Sequence, residues 1–380
     1  MQLVLTEDQE LLAKTAADFV NERSPVARVR ELRDSDDADG FSRALWKEMA
    51  ELGWVGIPFP ESHGGADMGL AEMAVVLEEL GRKLAPEPFL SNCLLAGQVI
   101  LRAGSEAQQQ AWLPGLVEGE KLLALAHQEP NSRFDLAAVA TRAERDGDGW
   151  RLSGEKIAVL DGTAADALVV AARTAGDDRD RAGISLFLVP KDAPGLQLER
   201  QHRIDSRNAA RIHLDGVAVG SDAQLGVEGE GASILEEVVD LATVGLCAEM
   251  LGSMSEAFER TLDYLKQRVQ FGVPIGSFQA LKHRAAEMFI EIELCRSAVM
   301  GAARALDEGA PEAQKLVSLA KARCSDAAIL VTNEAVQMFG GIGMTDEHEI
   351  GFFMKRARVA ELTFGDAKYH RDRWARLSEY

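Results

Sequence analysis

Between Lys121 and about Gly220 the hydrophobic pattern changes period, and this change restricts the fold more than any other feature of the chain. Upstream, apolar residues recur at helical steps over about Leu70–Leu84, Phe89–Ala103 and Glu106–Val117. A first helix opens at the capping-box pattern Thr6-Glu7-Asp8-Gln9, and a short one around Ala44–Leu52 is stopped by Gly53. The Gly- and Pro-rich stretch from Trp54 to Gly69 reads as irregular loop, with His63 a turn residue. Within the changed region the runs are short and rich in Val, Ile and Leu: LLALA, AVATRAE, GWRLSGEKIAVL, ALVVAART, GISLFLVP, LQLERQ and AARIHLDGVAV. Turn signals at Gly147-Asp148-Gly149 and Gly176-Asp177-Asp178 separate some of them, and no helix intervenes. Such a series predicts an antiparallel barrel or sandwich and disfavours a parallel dinucleotide-binding sheet.

After Gly231 the helical period returns, over about Ala232–Phe271, Phe278–Asp307 and Glu312–Phe339, then near Glu347–Ala360 and Asp366–Leu377. The glycines from Gly226 to Gly231 do not form GxGxxG and read as a linker. The expected fold is α+β and multidomain: an N-terminal helical domain (1–120), a middle β-barrel or sandwich domain (121–225) and a C-terminal four-helix-bundle domain (226–380). A length of 380 residues fits several packed units.

Net charge is −20 and the pI about 4.9. A surface this acidic repels phosphate backbones and anionic lipid, which argues against nucleic-acid or peripheral membrane binding. No apolar run is long enough for a membrane span, and the N-terminus lacks the basic start and apolar core of a secretory signal. Cys93, Cys247, Cys295 and Cys324 are far apart in sequence and lie in apolar helical contexts, so they read as buried free thiols rather than metal ligands or disulfides. The expected location is the cytoplasm.

One stretch, YLKQRVQFGVPIGSFQALKHRAAEM from Tyr264 to Met288, joins two of the long helical patterns. Gly272 can adopt the left-handed conformation that ends a helix, Pro274 prevents its continuation and Ser277 can cap the next. The reading is a helical hairpin with Arg268, Gln270, Phe271 and Gln279 at its bend.

These residues resemble the signature of the acyl-CoA dehydrogenase family, R-x-x-F-G followed by P-I-x-x-F-Q. The resemblance extends over essentially the whole chain. It implies FAD as cofactor, with Arg268, Phe271 and Gln279 reaching the flavin of a neighbouring chain. Gln337-Met338-Phe339-Gly340-Gly341-Ile342-Gly343 is similar to the family's Q-x-x-G-G-x-G, where Gln337, Gly340 and Gly341 would admit the FAD adenosine and pyrophosphate. Ala126-His127-Gln128-Glu129-Pro130 falls on the strand that lays backbone against the flavin, which makes His127 and Gln128 cofactor-binding candidates. Leu152-Ser153-Gly154-Glu155-Lys156, with Asp161-Gly162 and Ala165-Asp166, looks like the strand pair behind the ring system.

The departures carry as much information. The family's α-proton base is a Glu before a Gly near the C-terminus, and Phe364 stands there; the alternative base position on the first bundle helix is Ala242. Asp366 and Asp240 are the nearest substitute carboxylates in sequence. Phe134 replaces a loop Ser that would bond flavin or thioester, and Ala158 an aromatic behind the flavin. Phe134, Asp240 and Thr243 are the substrate-binding candidates. Gln128-Glu129-Pro130-x-Ser132-Arg133-Phe134-Asp135 and Thr363-Phe364-Gly365-Asp366 resemble the small subunits of heteromeric acyl-CoA dehydrogenases, of the pimeloyl-CoA and steroid side-chain type. What the resemblance implies is FAD-dependent α,β-desaturation of an acyl-CoA thioester, with electron-transfer flavoprotein as electron acceptor. The chain would assemble as a homo-oligomer or as a heterotetramer with a related chain. Two alternatives stay open: a non-catalytic companion completing the FAD site of a Glu-bearing partner, or another flavin reaction on the same fold. The tail's Lys368, His370, Arg371 and Arg373 read as a solvated or subunit-contacting helix face.

Overall fold

A computed structural model describes residues 4–380. Helix α1 (Glu7–Arg23) starts at Thr6, whose hydroxyl accepts from the Gln9 amide while the Gln9 side chain accepts from the Thr6 amide. That is the reciprocal cap expected of Thr-x-x-Gln. Helix α2 (Ala27–Ser35) was not visible in the sequence, because Val29 alone among its residues is buried and no apolar period arises. Helix α3 (Arg43–Glu51) follows, and Gly53 at φ +81° turns the chain away from it. The loop beyond is not wholly irregular: Glu61–His63 form one 3₁₀ turn between Pro60 and Gly64.

Helix α4 (Leu70–Arg82) matches its apolar period. The next predicted helix is divided. Phe89–Ala96 are π-helical and α5 (Gly97–Ala103) continues from them. The Gly97 amide donates to Asn92 O, five residues back, and a Cβ at Gly97 would stand 2.4 Å from that oxygen and 2.7 Å from Phe59 Cζ. The wide turn therefore depends on glycine, and π-helical turns often mark functional sites. Helix α6 (Glu106–Val117) completes the series.

Strands β1 (Leu123–Ala126), β2 (Arg142–Asp146), β3 (Gly149–Leu160), β4 (Ala167–Arg173), β5 (Ile184–Pro190), β6 (Leu196–Arg200), β7 (Ala209–Val219) and β8 (Gln224–Leu225) form one sheet in the order β6-β7-β3-β2-β4-β5-β8, with β1 also on β4. The sheet is antiparallel as expected, except at two pairings. β1 pairs with β4 in parallel along its length, and β2 meets β4 in parallel at Arg142 and Arg173. Periodicity locates strands but says nothing about partners, and here the loop from His127 to Thr141 lets β1 pair across the sheet. Alternate residues of β2–β7, among them Leu152, Val170, Phe187 and Ile212, build one apolar core in which Trp150 and Phe187 meet edge to face at 5.2 Å.

The chain then enters α7 (Gly231–Gln267), a short hairpin of β9 (Val269–Gln270) and β10 (Val273–Pro274), and helices α8 (Gln279–Asp307), α9 (Ala313–Phe339), α10 (Ile350–Leu362) and α11 (Ala367–Leu377). By backbone proximity there are two units, one comprising residues up to Glu31, Gly69–Ala85 and Thr243–Tyr380, the other Leu32–Met68 and Pro86–Ala242. In the first, α4 and α7 cross backbone to backbone: a Cβ at Gly81 would lie 2.2 Å from Glu249 O, and one at Gly252 1.8 Å from Glu78 O. All four cysteines are buried free thiols, and the neighbouring Cys247 and Cys295 push the Cys324 thiol pKa up.

The crossing yields a test. In a helix Ala is favoured over Gly by about 1 kcal/mol. In Gly252→Ala the clash is with backbone, which cannot rotate away, and overpacking of that kind costs about 3 kcal/mol. Net destabilisation of about 2 kcal/mol is expected in urea unfolding; an unchanged or higher midpoint would show that the helices separate freely.

Candidate active site

The bend predicted as a helical hairpin is built differently. Helix α7 ends at Gln267, where the Arg268 amide makes a last helical bond to Tyr264 O at 2.8 Å. Val269 and Gln270 then pair antiparallel with Pro274 and Val273. The two residues between take positive φ, Phe271 at +55° and Gly272 at +80°. Two consecutive positive φ values are what a two-residue hairpin turn requires. Ser277 does not cap α8: its hydroxyl donates to Pro274 O at 2.8 Å, and Phe278 holds the cap position without a side-chain bond. A left-handed conformation is unfavourable for Phe, yet Phe271 is 92% exposed and touches Phe278 only edge-on at 6.1 Å. Strain together with exposure has no stability rationale within one chain, and such residues gather at functional sites. Arg268 and Gln279 are exposed beside it, and the Arg268 guanidinium has no ion pair among the described residues.

Helix α9 ends close by. The Phe339 ring stacks on Tyr264 at 4.4 Å, which brings the end of α9 to the end of α7. Gly340 has φ +66°. Gly343 is packed, because a Cβ there would stand 2.8 Å from Val336 O. Gly341 has neither reason: its φ is not positive, and nothing lies within 4 Å of an added Cβ. Gln337 is exposed on the last turn of α9. The structure thus brings Arg268, Phe271, Gln337, Gly340 and Gly341 to one end of the first unit, with one glycine open toward something outside the chain.

At the place where the resemblance would put the base, α10 gives way to Phe364 at φ +60° and Gly365 at φ +114°. Two buried basic side chains hold this turn. Lys321, 0% exposed on α9, donates to Gly365 O at 2.7 Å, Glu361 O at 2.9 Å and the Ser325 hydroxyl at 3.1 Å. Burial lowers its pKa to about 8. His370, 1% exposed, donates from Nε2 to Phe364 O at 3.0 Å while Nδ1 is buried without a partner. Burial, followed by the Lys321 charge, lowers its pKa to about 3. The expected solvated face of the tail is therefore corrected at His370, which points inward because it anchors the turn. Lys321 was also overlooked; its signal was a lysine on the buried, Ala-rich face of α9. Asp366 is not presented as a base: its carboxylate caps α11 by accepting from the Tyr369 amide at 2.8 Å. Asp240, Ala242 and Thr243 are buried within α7, and Asp240 and Thr243 both interact inside the chain.

The second unit holds the remaining candidates at the C-terminal end of β1. Gln128 O accepts from the Ile157 amide at 2.8 Å, and its side chain donates to Arg133 O at 3.2 Å. His127 Nδ1 is buried without a partner, and burial, followed by the Lys156 charge, lowers its pKa to about 4. The Arg133 guanidinium lies 5.3 Å from the centre of the Phe134 ring, and Arg133 itself has φ +50°. At Ala158, φ +52°, β3 breaks register and the amide donates to Gln201 Oε1 at 2.8 Å. His127, Gln128, Phe134 and Ala158 are thus neighbours through the Gln128 bonds. Sequence reasoning missed how Glu129 secures them. Its carboxylate accepts from Lys156 Nζ at 2.6 Å and from the Ala140 and Thr141 amides at 2.7 and 3.0 Å. Burial alone would raise the Glu129 pKa, but Lys156 and these donors hold it below the usual range. Lys156, 0% exposed, is lowered to about 8 by burial, against the pull of Glu129.

Two outcomes follow. Glu129→Gln leaves the Lys156 ammonium buried without its anion, a loss of about 3–5 kcal/mol, which thermal unfolding at pH 7 would register; a smaller loss at pH 9.5, where Lys156 is neutral, is part of the expectation. For His370 the folded pKa of about 3 lies below the free value of about 6.5. Its contribution is intact above about pH 6.5 and is lost as pH falls toward 3, by about 2 kcal/mol between pH 7 and 5. His370→Gln keeps a donor but does not titrate, so its unfolding free energy should fall less over that interval; parallel curves for both proteins would count against the assignment.

Comparison with known proteins identifies the family. Family models described as the N-terminal, middle and C-terminal domains of acyl-CoA dehydrogenase match residues 6–120, 124–217 and 229–378. An acyl-CoA dehydrogenase of Bacillus subtilis is 32% identical over 373 residues, 97% of either chain. A chain in the structure of the electron transferring flavoprotein of Acidaminococcus fermentans is 32% identical with a TM-score of 0.92, covering 99% of both chains. One from the ChsE4-ChsE5 complex of Mycobacterium tuberculosis is 28% identical with a TM-score of 0.90, covering 100% of both. This chain belongs to the acyl-CoA dehydrogenase family, whose members are flavin-dependent oxidoreductases acting on acyl-CoA.

Proposed function

We propose that this chain is the base-less subunit of a heteromeric FAD-dependent acyl-CoA dehydrogenase, completing the flavin site of a Glu-bearing partner. The observation that carries the reading is the Phe364 turn. A side chain with no proton-accepting group stands where the carboxylate belongs, and Lys321 and His370 fix its backbone. The other base position is Ala242, 0% exposed. General base catalysis contributes roughly 10²–10⁴ in rate, so its loss from both positions points to a division of labour between chains. Asp366 and Asp240 offer no relief, one serving as a helix cap and the other buried in α7.

The residues present fit a flavin dinucleotide. Gly341 leaves room for close approach of a phosphate to backbone, the unpaired Arg268 supplies a cation for it, and Phe271 offers an exposed aromatic face. In the second unit, the backbone around His127 and Gln128 and the kink at Ala158 would lie against the ring system. The chemistry FAD supplies there is acceptance of a hydride as the thioester is desaturated. Phe289, Ile290 and Leu294 on α8, together with Phe271, leave an apolar surface exposed, as a chain that works in contact with another would. Among the described residues no helix is long and apolar enough to cross a membrane. We place the protein in the cytoplasm, passing electrons to electron-transfer flavoprotein.

In the test, the chain is expressed alone and with a Glu-bearing relative, and flavin bleaching by acyl-CoA is followed in single turnover. Bleaching is expected only in the mixed assembly and should be unaffected by Asp366→Asn or Asp240→Asn in this chain. A loss of two decades in either variant, with flavin retained, would place the base here and overturn the reading. Separately, Arg268→Ala should weaken flavin retention ten- to a hundredfold without altering unfolding; unchanged retention would remove Arg268 from the cofactor site.

A further inference from the structure

Helices α1, α4, α7 and α8 of the first unit line a partly open pocket of about 330 Å³. Ligand pockets begin at about 300 Å³. Small residues keep it open, chiefly Ala71 and Ala74 on α4 and Ala303 on α8, with Leu251 and Val299 completing an apolar wall. Its two ends differ in charge. Toward the C-terminus of α4 the charges are matched, Arg296 with Glu78 and Arg82 with Glu79. Toward the start of α4 stands Arg304, which has no carboxylate partner among the described residues. Its Nη2 donates to Val4 O at 2.7 Å and lies 3.4 Å from Gln9 Oε1, while its Nη1 is buried with no partner among the described residues. Buried donors without acceptors are few in native proteins, and each calls for an explanation.

We propose that this cavity binds a medium-chain aliphatic carboxylate, with Arg304 Nη1 donating to the carboxylate and the chain lying along the alanine-lined wall. A guanidinium favours a carboxylate over a neutral acceptor, because charge assistance roughly doubles the strength of the bond. A cationic headgroup is excluded at that end by Arg304, and at the other end Glu78 and Glu79 already hold arginines. At about 30 Å³ per non-hydrogen atom, the volume takes on the order of ten such atoms. That suits an acid of eight to ten carbons and is far too small for a nucleotide-bearing thioester. This site stands apart from the flavin-binding reading and does not depend on it.

Calorimetric titration of the flavin-loaded protein with decanoate, in parallel with 1-decanol and decylammonium, tests it. Decanoate should bind saturably, one per chain, and the two other ligands at least tenfold more weakly. Arg304→Gln should weaken decanoate ten- to a hundredfold, Arg304→Lys less, and Ala74→Phe should abolish binding by filling the cavity. Should Ala74→Phe fold poorly, the Arg304 pair decides alone. Absence of saturable binding, equal affinity for 1-decanol, or affinity unchanged in Arg304→Gln overturns the proposal; the last would locate the acid elsewhere, including any acyl-binding site.

Discussion

Where α4 crosses α7, the two backbones are in contact with no side chain between them. Glycine stands on each helix, Gly81 against Glu249 O and Gly252 against Glu78 O, and neither position can take even a methyl group without displacing main chain. Because α7 is 37 residues long and continuous, an interface that tight fixes both its height and its rotation. The point at which Arg268 leaves the helix is then set, as is the ring of Tyr264 on which Phe339 of α9 stacks. The same crossing orients the α4 and α7 walls of the cavity that Arg304 overlooks.

Buried basic groups do the local work elsewhere. Among the described residues Lys321 has no carboxylate partner; it is satisfied by two carbonyls and a hydroxyl, and so depends on the course of the chain from Glu361 to Gly365. Conversely, that course depends on it. Lys156 is different, since it faces a carboxylate that is itself engaged by two amides. Removing one partner of such a pair leaves an uncompensated charge, which is costlier than never having had the pair. Both devices stiffen loops that carry candidate site residues, at Phe364 in one unit and at Gln128–Phe134 in the other. Rigid support is what a site needs if it must hold a cofactor or meet a partner with fixed geometry.

Flavin-holding features and the missing base also fit together chemically. At one end of the first unit Arg268, Phe271 and Gly341 are exposed, whereas Phe364 and Ala242, the two positions proposed for the base, are apolar. The strained Phe271 turn gives this chain no stability of its own. An exposed aromatic at the tip of that turn suits a contact outside this chain.

Much of this was legible in residue order. Hydrophobic period revealed the change from helix to strand near Lys121 and back after Gly231, because burying one face of an element imposes its repeat on the sequence. The capping box at Thr6, the end of α6 and the turn at Gly147 were equally local. The family resemblance located Arg268, Phe271, Gln337 and the glycines. Other features were decided only by tertiary structure. β1 lies parallel to β4 because pairing depends on where a loop delivers a strand, not on the strand's own residues. α7 stops at Gln267 rather than Phe271 because Val269 and Gln270 find partners in Val273 and Pro274. Lys321, His370 and Glu129 look like ordinary polar residues until distant parts of the chain close over them. A charge in water has no cost, and only burial, which no single position determines, turns it into a constraint.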